Sequence, residues 1–252
     1  MVKIAITGAN GKMGKVIASL VAAREDCTVI AGIDLNDAPN GSFPIVKYPS
    51  ELAEKPDVII DFSHPSALDG LLSYCTINNV PLVAATTGYS ADEIAKIKKT
   101  AEQIPIFFTF NMSLGINLLV ELGKRAVNVL GGQYDIEIVE KHHNQKKDAP
   151  SGTAIMIAEA LNGELDNKMK YVYDRHNVRK AREANEIGMH AIRGGTIVGE
   201  HDIIFAGHDE VITLSHSAGS KEVFANGSIN AAIFLSGKES GLYDMSDLLQ
   251  NS

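Results

Sequence analysis

The chain of 252 residues has no surplus of positive charge: 23 Lys and Arg stand against 31 Asp and Glu, a formal net charge of -8. Nucleic-acid binding draws on a basic excess that such a total would reveal. No nucleic-acid partner is therefore expected, and any cationic site must be local. Long hydrophobic runs are lacking as well. No stretch approaches the roughly 18 apolar residues of a membrane span. The opening MVKIAITGANGKMG has neither an apolar region of signal-peptide length nor a small-residue cleavage site. A cytoplasmic protein without membrane association is the expectation. Cysteine is scarce: Cys27 and Cys75 are isolated and without metal-ligand spacing, so two small buried thiols are expected. Internal repeats and low-complexity tracts are absent too. What is there, 45% hydrophobic and 21% charged residues, is an ordinary globular composition, long enough for one large domain or two small ones.

The first hundred or so residues alternate strand and helix signals. Val2 to Thr7, Thr28 to Ile33, Asp57 to Ser63, Val80 to Gly88 and Ile104 to Asn111 read as apolar, largely β-branched strands. Helical stretches run from Lys12 to Ala23, Ser66 to Asn78 and Ser90 to Gln103. Continuous buried strands separated by helices predict an α/β fold, with a Rossmann-type, doubly wound parallel sheet at the N-terminus. After Asn111 the pattern changes. A long helix from Leu114 to Leu130 precedes YDIEIVEK, whose alternation recurs in IGMHAIRGGTIVGEHDIIFAG and EVITLSHSA. That predicts a smaller α+β domain with a mixed or antiparallel sheet. The expected division is residues 1–113, completed by a helical C-terminal segment 221–252, and residues 114–220. Asn162 to Ala184 is polar and basic and reads as a mobile loop.

TGANGKMG sets Gly8, Gly11 and Gly14 between the first strand and helix. Glycines there permit positive φ and close approach of the backbone to a ligand, and a helix start favours phosphate. Such a turn is also a common structural device, and Asn10 stands where a glycine is often found. Asp34, ending the second strand, is placed to accept hydrogen bonds from an adenosine ribose. Strand, turn, helix, strand and acid in this order predict dinucleotide binding. Leu35 follows the acid, leaving no adjacent cation for a 2′-phosphate, so NADH is the expected preference, with Lys12 leaving room for NADPH. ATTG, at Ala85 to Gly88, ends the fourth strand at the same sheet edge. Its plainer reading is a strand-to-helix turn capped by Thr86 or Thr87.

A reducing site must also supply a proton. EKHHNQKKDAPSGTA, from Glu140 to Ala154, gathers His142, His143 and Lys146 ahead of a Pro-Ser-Gly-Thr helix start that could grip a carboxylate. Taken singly, each feature has a plainer account: a solvated loop, a charged surface, a helix cap. Zinc is not expected, because adjacent histidines do not face one ion easily and no Cys cluster or H-x-x-x-H completes a tetrahedron. Two rivals stay open, another two-domain amino-acid or aldehyde dehydrogenase and a catalytically silent dinucleotide-binding protein.

EIVEKHHNQKKDAPSGTA resembles the signature of the dihydrodipicolinate reductase family. GANGKMG, DFS.P at Asp61 to Pro65, ATTG, FNMSLGIN, VGEH, FANG and LSGKESGLYDM are similar to that family in the same order, over essentially the whole chain. The resemblance implies NAD(P)H-dependent reduction of 4-hydroxy-tetrahydrodipicolinate to tetrahydrodipicolinate in lysine and diaminopimelate biosynthesis. It implies His142 as the catalytic proton donor or acceptor and Lys146 as a second donor or substrate anchor. His143, Gly152 and Thr153 would hold the cyclic dicarboxylate. Cofactor positions would be Gly8, Ala9, Asn10, Gly11, Lys12, Met13, Asp34, Ala85, Thr86, Thr87, Thr109, Phe110, Asn111 and Met112. A homotetramer built through the second domain's sheet is implied too. The chain departs from the pattern at Leu35, where many relatives carry Arg, at Asn144 and Gln145 within H-H-R-H-K, and at His64, where relatives of the form DFTRP have Arg.

Overall fold

The computed structural model describes residues 1–39 and 41–250; positions 40, 251 and 252, which the expected first domain includes, lie outside the described residues. The chain forms two compact units, Met1–Leu114 with Glu222–Ser252, and Gly115–Lys221.

In the first unit, β1 (Val2–Thr7), β2 (Cys27–Ile33), β3 (Ile45–Val46), β4 (Val58–Asp61), β5 (Leu82–Ala84) and β6 (Pro105–Phe108) pair in parallel, in the order β6-β5-β4-β1-β2-β3. Helices α1 (Lys12–Val21), α2 (Leu68–Asn78) and α3 (Ala91–Thr100) make the crossovers. The strands lack polar alternation because both faces are covered. Ile4, Ile6, Val58, Ile60, Val83 and Phe107 enter one core and Ala5, Ile59, Leu82, Ala84 and Ile106 the other. Burying each large aliphatic side chain stabilises the fold by about 1.5–3 kcal/mol. Cys27 belongs to the first core and Cys75 to the second; both are free thiols.

The second unit takes α4 (Leu114–Leu130) from its second residue on, followed by β7 (Asp135–His142), α5 (Gly152–Gly163), β8 (Lys170–Val172), β9 (Glu186–Arg193), β10 (Gly199–Ala206) and β11 (Val211–Ala218). The sheet is mixed, in the order β11-β10-β7-β9-β8, with β10 antiparallel to both neighbours and the remaining pairs parallel. Its apolar face joins α4 and α5 in a third core that includes Ile138, Ile157, Leu161, Met189 and Ile203.

The chain then returns to the first unit through α6 (Glu222–Leu235), β12 (Gly241–Tyr243) and α7 (Met245–Gln250). α6 lies so close to the main chain at Met112 that a Cβ on Gly227 would fall 1.6 Å from its carbonyl oxygen. Phe234 of α6 meets Phe107 edge-on with ring centres 6.3 Å apart. Two expectations are corrected here. The C-terminal segment is not helical throughout: β12 pairs in parallel with β6 and makes the sheet seven-stranded. The stretch from Asn162 to Ala184 is not one loop, since it holds β8, and Asn162 secures its turn by accepting from Met169 N–H at 2.9 Å. Arg175 and Arg182 in the same stretch both bond Glu137 of β7. Among the described residues no helix is long and apolar enough to cross a membrane.

Candidate active site

Parallel pairing sends the C-terminal ends of β1, β2, β4, β5 and β6 to one edge, where Thr7 stands level with Ile33 and Asp61, and Ala84 with Asp61 and Phe108. Gly8, Asp34, Ala85 and Thr109 follow those strand ends. Gly8 has φ +76°, and a Cβ there would sit 2.6 Å from the carbonyl oxygen of Phe62; one on Gly14 would sit 2.3 Å from that of Gly8. Only glycine tolerates both the conformation and the approach. Gly11 is the N-cap of α1, with no side-chain cap and no acid in the first turn, an arrangement suited to phosphate. The Asp34 carboxylate braces the turn, accepting Asn10 N–H at 2.9 Å on Oδ2 and Asn36 N–H at 3.0 Å on Oδ1. Each oxygen retains a lone pair for a hydroxyl. Beside it opens a cavity of about 520 Å³ lined by Gly8, Asp34, Leu35, Lys47, Phe62 and His64 among others. Volume, glycine cradle and acid fit the adenosine end of a dinucleotide. Lys47 corrects the reading that no cation is near: β3 brings it to the cavity, where it pairs with Asp37 at 3.3 Å.

The other positions on this edge divide by exposure. Ala9, Ala85, Asn111 and Met112 are buried, so main-chain atoms are what they can offer a ligand. Lys12, Thr87 and Phe110 present exposed side chains, and Met13 and Thr109 are half-buried. Neither threonine of ATTG caps α3. That role belongs to Ser90, in a capping box with Glu93. Thr86 instead donates to Asp61 Oδ2 at 2.8 Å, Tyr89 donates to the same oxygen at 3.0 Å, and Ser63 bonds Oδ1. Burial raises the Asp61 carboxyl above its ordinary range despite these donors. It knots the loops after β4 and β5 together.

In the second unit the pleat of β7 sends Ile136, Ile138, Glu140 and His142 to one face. Register extends the pattern across the sheet. Leu214, Ile203, Ile138 and Met189 form an apolar row. The next row carries His216, His201 and Glu140, and beyond it His142 pairs with Arg193 and lies against Gly199 of β10. The core face thus turns ionisable at one end of the sheet. Glu140, 1% exposed, accepts from Arg193 through both Nη atoms at 2.7 Å, from Ser151 N–H at 3.0 Å, and lies 2.6 Å from His142 Nδ1. Burial alone would raise its pKa, but the bonds from Arg193, His142 and Ser151 prevail and hold it below the usual carboxylate range. His201 meets His142 edge-on with ring centres 5.3 Å apart. Burial, then the charge of His142, pushes His201 down to about 4, which keeps it neutral.

Ser151 caps α5, accepting Ala154 N–H at 3.2 Å, and Gly152 and Thr153 occupy the first helical turn, which contains no acid. The loop between β7 and α5 docks back on the turn after β9: Gly194 N–H reaches the His142 carbonyl at 2.9 Å and Asn144 N–H that of Gly195 at 3.2 Å. Lys146 pairs with Asp148 at 2.9 Å and holds that carboxyl below its ordinary range. His143 is half-buried in the same loop. His142, His143, Lys146, Gly152 and Thr153 therefore share one end of the second unit. The residues missed are Asp61, Glu140, Arg193 and His201. For Glu140 a signal existed, an acid on the apolar phase of an alternating strand; for the other three, register and burial had to be known.

Comparison with known proteins agrees along the whole length. The family profile "Dihydrodipicolinate reductase, N-terminus" matches residues 2–112 and "Dihydrodipicolinate reductase, C-terminus" matches residues 115–249. The 4-hydroxy-tetrahydrodipicolinate reductase of Caldanaerobacter subterraneus subsp. tengcongensis is 52% identical over 250 residues, 99% of each chain. That of Clostridium tetani is 47% identical over 252 residues, 100% of this chain and 98% of the relative. Among solved structures, the dipicolinate-bound dihydrodipicolinate reductase from Paenisporosarcina sp. TG-14 superposes with a TM-score of 0.80 at 25% identity, covering 97% of both chains. With both profiles matched in sequence and relatives this similar end to end, the chain belongs to the dihydrodipicolinate reductase family.

Proposed function

We propose that the chain is an NAD(P)H-dependent oxidoreductase that reduces 4-hydroxy-tetrahydrodipicolinate to tetrahydrodipicolinate in lysine and diaminopimelate biosynthesis. The observation that carries the reading is that one buried carboxylate, Glu140, joins the imidazole of His142 to the start of α5 at one end of a sheet, in a member of this family. Its relative in Paenisporosarcina is described with dipicolinate bound, a planar cyclic dicarboxylate. Here the first turn of α5, with Gly152 and Thr153, the Lys146 ammonium and the His143 imidazole hold the carboxylates. Their positive field also favours electron flow into the ring, and preorganised electrostatics of this kind is often the largest catalytic contribution.

A bound nicotinamide would supply hydride. The substrate ring, conjugated once water is lost, needs a proton besides, and His142 provides it with Lys146 as the second donor or anchor. His142→Gln and Lys146→Ala should each lower kcat by about 10²–10⁴-fold while leaving cofactor affinity nearly unchanged. The deciding assay is NADH oxidation on adding the coupled product of aspartate semialdehyde and pyruvate. An amino-acid or aldehyde dehydrogenase, or a silent binding protein, would leave NADH untouched. Wild-type turnover in both variants would remove these residues from the mechanism.

NADH is the preferred cofactor in this reading, because Asp34 repels a 2′-phosphate and the next residue, Leu35, is apolar and 77% exposed. NADPH remains usable through Lys12 and Lys47. Equal or better kcat/KM with NADPH would refute the preference. The dinucleotide unit takes residues 1–113 with 221–252, and residues 114–220 bind substrate and assemble the chain into a cytoplasmic homotetramer through the five-stranded sheet. Sedimentation as a monomer at micromolar concentration would exclude that assembly.

A further inference from the structure

We propose that Glu140 is a positioning residue that selects the Nδ1–H form of His142, leaving Nε2 as the ring atom that exchanges a proton with the substrate. The inference rests on the reading of His142 as proton donor and adds which atom acts and what fixes it. Glu140 and His142 are two residues apart on β7, so their side chains leave the same face, and the carboxylate reaches Nδ1 at 2.6 Å. The other groups on that carboxylate can only donate. Arg193 of β9 occupies both oxygens at 2.7 Å, and the main-chain N–H of Ser151 adds a bond to Oε1 at 3.0 Å. Held by two separate elements, the carboxylate cannot turn away. An ionised acceptor facing Nδ1 requires a proton on Nδ1.

Nε2 faces Gly199 of β10, where a Cβ would stand 3.1 Å away; glycine keeps that side of the ring uncrowded. Glu140 on its own strand reaches Nδ1, the ring of His201 on β10 lies edge-on at 5.3 Å between centres, and Arg193 on β9 stands level with His142 and bonds Glu140. Of these, Glu140 is the carboxylate in contact with it. In one turnover the Nε2–H bond breaks as the ring of the substrate gains its proton. His142 is left neutral with Nδ1–H still bonded to Glu140, and the one proton the reaction consumes from solvent reprotonates Nε2. The same carboxylate holds Ser151 N–H at the start of α5, so proton donor and anion site share one anchor.

The alternative is that Glu140 merely pairs with half-buried Arg193, and ring nitrogens labelled with ¹⁵N separate the two. NMR of the full chain, with and without NADH, should show neutral His142 protonated at Nδ1. In Glu140→Gln that pattern should change to a mixture of tautomers. The variant should also lose about 10²-fold in kcat, with the NADH dissociation constant unchanged. Glu140→Asp, which keeps the charge, should recover part of the rate. Neutral His142 protonated at Nε2 in the wild type overturns the proposal, and that spectrum decides even if Glu140→Gln fails to fold. A folded Glu140→Gln in which neutral His142 stays protonated at Nδ1 alone overturns it equally. Full activity in His142→Gln would remove the underlying proton-donor reading, and it is told apart because the tautomer is measured without turnover.

Discussion

Ser151 joins a helix cap to a buried imidazole, and replacing it separates the two contributions. Its hydroxyl accepts Ala154 N–H at 3.2 Å and lies 3.1 Å from His201 Nε2, on a ring only 3% exposed. Ser151→Ala removes the cap at a cost of about 1 kcal/mol. It also deprives a buried ring nitrogen of its partner, for about 1–3 kcal/mol more. The sum is about 2–4 kcal/mol, a fall in Tm of roughly 4–16 °C for a chain of this size. Ser151→Gly keeps a tolerable cap, losing only a few tenths of a kcal/mol there, yet forfeits the same His201 contact. It should therefore be the milder variant by just under about 1 kcal/mol. Urea unfolding at neutral pH, with the slope checked for constancy, measures all three proteins. The main-chain N–H to Glu140 survives in both, so kcat should fall less than in Glu140→Gln. If alanine and glycine variants both unfold within about 0.5 kcal/mol of wild type, the hydroxyl contributes nothing net and the reasoning fails.

His201 offers a pH test. Its folded pKa, about 4, lies below the ordinary 6.5, so between these values the unfolded chain binds the extra proton and stability rises with pH. About 3 kcal/mol present above pH 6.5 should disappear as pH falls through about 4, and His201→Gln should flatten that part of the curve in calorimetry. Gly199→Ala should lower kcat at least several-fold with unchanged NADH affinity, because the added methyl would stand 3.1 Å from His142 Nε2; an unaffected kcat would show that Nε2 is not the working atom. Lys47→Ala should weaken NADPH several-fold in calorimetric titration and leave NADH alone; equal effects on both would place the lysine away from the 2′-phosphate. Burial pushes Cys75 up to about 12, so it should resist thiol reagents until urea unfolds the chain, and rapid labelling of the native protein would contradict its place in the core.

The parts of this fold legible in sequence are those whose environment repeats along the chain. The long strands β1, β2 and β4 are buried on both faces and so read as unbroken apolar runs, and β7 alternates because only one of its faces is buried. β3, β8 and β12 span two or three residues each, too few to display a period, and exist because a longer neighbour accepts them at an edge. The site divides in the same way. Gly8 and Asp34 were legible because a turn at φ +76° and an acid at a strand end are demands on residue type at fixed positions. Asp61 was visible as part of a motif, but its bonds to Thr86 and Tyr89 cross more than twenty positions of sequence. Glu140 carries the sharper lesson. Reading YDIEIVEKHH by charge places it with the solvated acids, whereas reading it by phase places it behind Ile136 and Ile138, on the core face with His142. A carboxylate there must find donors or pay several kcal/mol in lost hydration. The chain answers with Arg193, fifty-three residues away, and with the start of α5, so the acid's burial draws together the groups on which the proton donor depends.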